Sequence, residues 1–457
     1  MAKKPTFDFD LVVIGSGAGG SPAATIAARD GKRVAIVEEG RFGGDSPNWS
    51  DVPTKALLHV AHLYDEARHG ARFGIRSNML SYNYPSIRSW KELAVQRTGA
   101  GGNKKFYESQ GITTFAGRAH FLSPNEITVA RHHITAEKFL VATGSEWVAP
   151  DIQGLRTVDY LTPRTILESL RPPKSLYIIG AGTIGVEIAQ LLAIFGTKVY
   201  LAEIASRILP EEDEDVGLLM ERLLREGKGV TSLTETRTLA VVKDSLMKKV
   251  TYTRGGVEKT VRVDEVLIAT GRMPAVDLGL ENASVHYTPK GIETDDHLQT
   301  SARHIYAAGD VLGHNSHTHT ALIESRIAAH NLLRKDQNTP DYIAIPRITF
   351  TMPEIASVGL SEDDCLRRDL AINTALAPLN IIARSNTSDY RDGFVKIITD
   401  KKGTVLGATI VAPTASEMIH ELSLAVQYGM SAADIARTPH AFLTWSEAIR
   451  VAASKLA

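Results

Sequence analysis

One pattern is written twice in this chain, and nothing else in its 457 residues restricts the fold as much. Leu11-Val-Val-Ile14 is a short apolar, β-branched run of the kind buried on both faces of a parallel sheet. It leads into Gly15-Ser-Gly17-Ala-Gly-Gly20, an alanine-rich helical stretch from Ala23 to Ala28, and a second strand, Val34-Ala-Ile-Val37, ending at Glu38. Ser175-Leu-Tyr-Ile-Ile179 repeats the plan through Gly180-Ala-Gly182-Thr-Ile-Gly185, a helix reaching Ala193, and a strand over 198–202 that ends at Glu203. The separation from first glycine to acid is the same in both copies. The first glycine permits a tight turn, the second lets a pyrophosphate approach the backbone, and the third lets helix and strand pack closely. The helix N-terminus favours the anion, and the terminal carboxylate accepts hydrogen bonds from a ribose. One such motif is weak; two, each with its acid, predict two dinucleotide sites.

A second repeat reinforces the first. Phe139-Leu-Val-Ala-Thr-Gly144 echoes Val266-Leu-Ile-Ala-Thr-Gly271, each a strand ending in a tight turn that returns the chain to its nucleotide. A further strand, Ile305-Tyr-Ala-Ala308, ends in Gly309-Asp310. Three domains are expected at this length. The first covers 1–150 and 273–340, the second 151–272. The third, an α+β domain over 341–457, follows the polar stretch Lys335-Asp-Gln-Asn-Thr-Pro340.

Composition narrows the function. A formal net charge of −1 lacks the basic footprint of a nucleic-acid surface, so no nucleic-acid partner is expected. No apolar run approaches the ~18 residues of a membrane span, and Leu11–Ile14 is too short for a signal peptide. No membrane insertion and a cytoplasmic location are therefore expected. Cys365 is the only thiol, so no intrachain disulfide can form. Its acidic neighbours should raise its pKa and leave it unreactive. His314, His317 and His319 have few carboxylates nearby and no cysteine, so no metal site is expected.

With these motifs in hand, nearly the whole chain resembles the flavoprotein disulfide reductases, among them lipoamide dehydrogenase, mercuric reductase and soluble transhydrogenase. The resemblance rests on the first glycine motif with Glu38, Val52-Pro-Thr-Lys55, Thr143-Gly144-Ser145 and Gly182-Thr-Ile-Gly-Val-Glu187. It continues through Ala308-Gly-Asp310, Phe350-Thr-Met-Pro-Glu354 and Ser446-Glu447-Ala448. It implies an α/β chain with two Rossmann-like dinucleotide-binding domains, one for FAD and one for NAD, plus a C-terminal α+β dimerisation domain that makes a homodimer. It puts FAD on Gly15, Gly17, Gly20 and Glu38, with Gly117, Thr143, Gly144, Ser145 and His319 nearby and Asp310 on the ribityl chain. Lys55 and Glu187 match an ion pair beside flavin N5. The nicotinamide nucleotide falls to Gly180, Gly182, Gly185, Glu203 and Gly271. Glu203 favours NADH, because a carboxylate repels a 2′-phosphate, although Arg207 is close enough to soften the choice.

Two departures matter more than the matches. Where the family carries two cysteines, this chain has Ser46 and Asp51, and neither forms a disulfide or a sulfur contact to flavin. Where the family's C-terminal acid–base histidine falls, this chain has Phe442; His440 lies two residues early, so Glu447 loses the imidazole it would orient. The expected activity is hydride transfer from NADH to flavin, then direct passage of electrons to a small-molecule acceptor such as a quinone, with slow oxygen reduction. Trp49 and Phe442 are candidate walls for that acceptor. Trp49 also resembles a tryptophan of soluble transhydrogenases, which makes transhydrogenation the alternative. A catalytically degenerate FAD-binding dimer with a structural role is the third reading.

Overall fold

The computed structural model describes residues 7–76, 79–98 and 103–457. The chain divides into two compact units. The first comprises Met1–Ala56, Ser86–Val148 and Gly271–Asp341, the second Leu57–Pro85, Ala149–Thr270 and Tyr342–Ala457.

In the first unit the strands Thr113–Ala116, Val34–Glu38, Phe9–Ile14 and His132–Val141 lie side by side in that order, all parallel. Ile305–Ala307 adds parallel to the end of His132–Val141, in the register Ile305 to Phe139. Leu11 to Ile14 and Val34 to Val37 are almost wholly buried, as continuous apolar runs in a sheet covered on both faces must be. His132–Val141 does double duty. Its first half pairs antiparallel with Glu126–Val129 in a meander that also holds Ala119–Ser123, and its second half enters the parallel sheet. The helices Ser21–Arg29 and Thr318–Leu333 pack on one another, with Ser325 Oγ accepting from Ala23 N at 3.1 Å.

The second unit repeats the theme. Thr231–Leu233, Lys198–Ala202, Ser175–Ile179 and Glu265–Ile268 form a four-stranded parallel sheet. Thr236–Asp244, Met247–Arg254 and Val257–Val263 form an antiparallel sheet of their own. A five-stranded antiparallel sheet follows, ordered Arg347–Thr349, Glu354–Gly359, Val405–Ala412, Phe394–Asp400 and Ile372–Pro378. The helices Ala415–Gln427 and Glu447–Ser454 share its apolar core. Cys365 is fully buried on the helix Glu362–Arg367, and burial, with Asp364 beside it, pushes its thiol up. Among the described residues no helix is long and apolar enough to cross a membrane.

Candidate functional site

The sequence repeat resolves into repeated hydrogen bonds. Gly15 N donates to Val37 O and Gly180 N to Ala202 O, both at 2.8 Å; Ala142 N donates to Ile14 O and Ala269 N to Ile179 O, both at 2.7 Å. Gly15 and Gly180 share a φ of +102°, and a Cβ there would lie 2.1 Å from Ala142 O or 2.5 Å from Ala269 O. Only glycine fits such a turn. A Cβ on Gly20 would meet Gly15 O at 2.0 Å, and one on Gly185 would meet Gly180 O at 2.1 Å. These third glycines serve helix–strand contact. The middle glycines differ in kind. Nothing lies within 4 Å of a Cβ on Gly182, and only Gly44 Cα, at 3.7 Å, is near one on Gly17. Gly182 borders open space at a helix start, a cradle that a side chain would fill and a pyrophosphate suits, while Gly17 has only the Gly44 backbone in van der Waals contact.

Each acid is fixed by backbone donors. Glu38 Oε2 accepts from Ser16 N at 3.0 Å and Ser16 Oγ at 2.6 Å, and Oε1 accepts from Gly40 N at 2.8 Å. Glu203 is buried, with Oε2 accepting from Ala181 N at 2.8 Å and Oε1 from Ala205 N at 3.0 Å. The carboxylates are thus held at the strand ends, where ribose hydroxyls suit them. Ser16 is a site residue that the sequence does not disclose. Its hydroxyl also accepts from Gly43 N at 2.8 Å, tying the loop after the second strand to the first glycine turn. Gly44 then touches Gly17, since a Cβ on Gly44 would fall 2.5 Å from Gly17 Cα.

Around this cleft the first unit gathers the other expected FAD residues. Gly117 N donates to Glu38 O at 2.8 Å, and Thr143 Oγ1 donates to Ala275 O at 2.7 Å. Gly144 turns with φ +72° to set Ser145, whose hydroxyl donates to Asp310 Oδ2 at 2.7 Å. Arg272, another residue missed by sequence reasoning, donates from Nε to Ser145 Oγ at 2.8 Å, bonds the Asp45 carboxylate, and stacks 4.8 Å from the Trp147 ring. A signal existed. Ser145 and Arg272 each follow a repeated Thr-Gly, and the strands they open, Ser145–Trp147 and Arg272–Pro274, pair as a ribbon. Gly271 precedes that ribbon with φ +116° and open space at its Cβ. His319 lies in the first turns of Thr318–Leu333, its ring 5.3 Å from that of His317. Burial pushes the His314 imidazole down. Among the described residues no group of three His, Cys, Asp or Glu is arranged to hold a metal ion.

The positions that replace the cysteines are joined through a third residue. Ser46 Oγ lies 2.5 Å from Thr318 Oγ1, which donates to Asp51 Oδ2 at 2.9 Å. Asp51 Oδ1 in turn stands 3.5 Å from Lys55 Nζ, one helical turn along Asp51–Arg68. The Trp49 ring packs over Gly40, where a Cβ would lie 3.0 Å away, and lies 5.7 Å from the Arg41 guanidinium.

In the second unit Glu187 is 1% exposed, and its Oε1 accepts from Phe350 N at 2.8 Å. It belongs to a polar ladder at helical spacing. Thr183 accepts from Thr349 at 3.2 Å, and Gln190 both accepts from Met352 N at 2.8 Å and donates to Met352 O at 3.0 Å. His62, pushed down by burial, lies 3.1 Å from the same Gln190 carbonyl. Arg207 is occupied by Asp363 at 2.9 Å and by the carbonyls of Pro210 and Glu212. At the C-terminus His440 has Nε2 2.9 Å from Glu421 and Nδ1 2.8 Å from Thr438 O, so both ring nitrogens face acceptors. Glu447 instead accepts from Leu443 N at 3.0 Å, beside an exposed Phe442.

Residues 9–325 match the family model described as pyridine nucleotide-disulphide oxidoreductase, and 345–453 match that family's dimerisation domain. A mercuric reductase of Streptomyces lividans is 36% identical, covering 97% of this chain and 95% of the relative. A dihydrolipoyl dehydrogenase of Staphylococcus aureus is 35% identical over 98% and 96%. Among solved structures, the Cu(II) complex of the HOCl-induced flavoprotein disulfide reductase RclA from Escherichia coli superposes with a TM-score of 0.88 at 27% identity, covering 99% of this chain and 100% of that one. LpdA from Mycobacterium tuberculosis matches with a TM-score of 0.87 at 28% identity, over 98% and 99%.

Proposed function

The chain belongs to the pyridine nucleotide-disulphide oxidoreductase family, whose members use FAD and NAD(P)H, and on that premise we propose that it oxidises NADH and passes the electrons to an acceptor that is not a disulfide. It is an FAD- and NAD(P)H-dependent oxidoreductase by family; the acceptor and the nucleotide preference are the proposal. The observation that carries it is the Ser46–Thr318–Asp51 junction, which closes with hydrogen bonds the positions where the resemblance implies a redox dithiol. The chain's single thiol is buried and pushed up, so no sulfur relay is available within one chain. FAD, when bound, supplies hydride acceptance and the return of electrons.

The residues do the rest. Glu38, Ser145 and Asp310, fixed as described, are proposed to hold the FAD ribose and ribityl hydroxyls. Lys55 is proposed to offer its ammonium to the flavin, with the Glu187 carboxylate orienting that ammonium. Glu203 is proposed to select NADH. Its charge disfavours a 2′-phosphate, and Arg207, the nearby cation that could soften that choice, is engaged by Asp363. Glu203→Gln removes the charge but keeps one acceptor for the backbone donors. It should narrow the NADH over NADPH preference by about tenfold, near 1.4 kcal/mol, read as the ratio of kcat/KM for the two nucleotides. An unchanged ratio would remove Glu203 from the adenosine ribose. The protein is further proposed to work as a cytoplasmic homodimer, and a quinone is the favoured class of acceptor.

Anaerobic titration with NADH, followed by an acceptor panel, tests the whole reading. One equivalent of NADH should bleach the flavin, and a benzoquinone should then turn over many times. Lipoamide and glutathione disulfide should not. A thionicotinamide analogue of NADP checks transhydrogenation, and Cu(II), the ion of the RclA complex, joins the panel as a further candidate acceptor. Flavin left oxidised by NADH, or rapid disulfide reduction, would refute the proposal.

A further inference from the structure

We infer that Asp51 is a positioning residue that sets how strongly the Lys55 ammonium favours reduced flavin, a task resting on the role just proposed for Lys55. The geometry is specific. On an open helix face an i,i+4 pair leaves the carboxylate's second oxygen to water. Here Oδ1 faces Lys55 at 3.5 Å while Oδ2 accepts from Thr318, which lies 267 residues further along the chain, at 2.9 Å. Thr318 has one hydroxyl proton, and it goes to Asp51. The 2.5 Å contact between Thr318 and Ser46 must therefore use the proton of Ser46. The two hydroxyls are oriented in series, Ser46 donating to Thr318 and Thr318 to the carboxylate.

That order has a consequence. The Thr318 hydroxyl, itself held by Ser46, fixes the Asp51 carboxylate in place against Lys55, which is its neighbour one turn along the same helix. A fixed anion next to the cation offsets part of the attraction that the ammonium exerts on an electron-rich flavin. Ser46 and Asp51 then serve as more than lost cysteines. They are a redox-inert substitute that lowers the flavin potential and so keeps the reduced cofactor a ready donor to its acceptor.

The test is the midpoint potential of the bound flavin, measured by anaerobic dye equilibration on the FAD-loaded protein, together with the melting temperature of each variant. Asp51→Asn keeps the shape and removes the charge. It should favour reduced flavin by about tenfold, equivalent to a rise of about 30 mV for a two-electron couple. Thr318→Val, which frees the carboxylate, should shift the potential in the same direction by a smaller factor, and Thr318→Ser should restore the original value. A role in packing alone would lower the melting temperature of these variants without moving the potential. An Asp51→Asn shift of less than twofold in the reduction equilibrium, about 9 mV, or equal potentials for Thr318→Val and Thr318→Ser, would overturn the inference. Failure of the parent protein to accept electrons from NADH would instead sink the functional reading beneath it.

Discussion

A Lys396→Met variant should lose about 3–5 kcal/mol of stability, the cost of leaving the buried Asp213 carboxylate without its counter-ion. Lys396 lies on the strand Phe394–Asp400 and is only 3% exposed. Its ammonium stands 2.8 Å from Asp213, 2.9 Å from Asp215 and 3.1 Å from Glu362. Asp213 is 2% exposed and also accepts from Glu362 N at 3.0 Å, so it has little freedom to turn toward water. Burial alone would push Lys396 toward neutrality; hydrogen bonds to Asp213 and Asp215 more than reverse that and hold its pKa above the ordinary value. Methionine matches the length and apolar stem of lysine, so packing is preserved and the loss isolates the charge. Urea denaturation followed by two probes measures it. Part of the loss should return on lowering the pH toward the carboxylate range, because a protonated carboxyl needs no cation. Adding Asp213→Asn to the variant should recover part of it at neutral pH. A loss below about 1 kcal/mol would mean that the cluster behaves as an exposed ion pair.

That cluster also marks where sequence reasoning stops. Phe394-Val-Lys-Ile-Ile398 reads as a strand from its apolar, β-branched run, and it is one. Nothing local says that Lys396 points inward, because its three partners come from distant loops and helix starts. The glycine–acid repeats are legible for the opposite reason. A turn at positive φ and a backbone contact near 2 Å each demand glycine at one position, so the constraint is written in adjacent residues. The antiparallel strands between Thr236 and Val263 carry no such demand; their pattern is mostly polar, as on partly exposed strands, and they do not stand out in the sequence. Ser46 and Asp51 are visible as departures, but the hydroxyl that joins them lies in Thr318 and only the fold brings it there. Trp49 is legible only as an aromatic beside an altered site; that its ring packs over Gly40 depends on the loop and not on the residue type.

Replacing Gly182 by valine should weaken NADH binding by about a hundredfold, near 2.7 kcal/mol, while the protein folds and retains FAD. The two halves of that expectation have separate causes. Gly182 caps the helix Thr183–Ile194 with φ −71° and ψ −175°, an extended conformation that β-branched residues adopt readily. No atom lies within 4 Å of its would-be Cβ, so the branch point itself enters open space. The added side chain does occupy the space through which a pyrophosphate must approach the backbone at the helix start. Gly180→Ala is the control, for there φ is +102° and the new Cβ would fall 2.5 Å from Ala269 O. That variant should be destabilised by about 1–3 kcal/mol or misfold, and its nucleotide defect would be secondary to the fold. Isothermal titration with NADH and flavin absorbance separate the outcomes. Wild-type affinity in Gly182→Val would mean that the second glycine cleft does not hold the pyrophosphate. Loss of FAD from Gly182→Val, with the melting temperature unchanged, would assign the flavin to this cleft and reverse the order of the two sites.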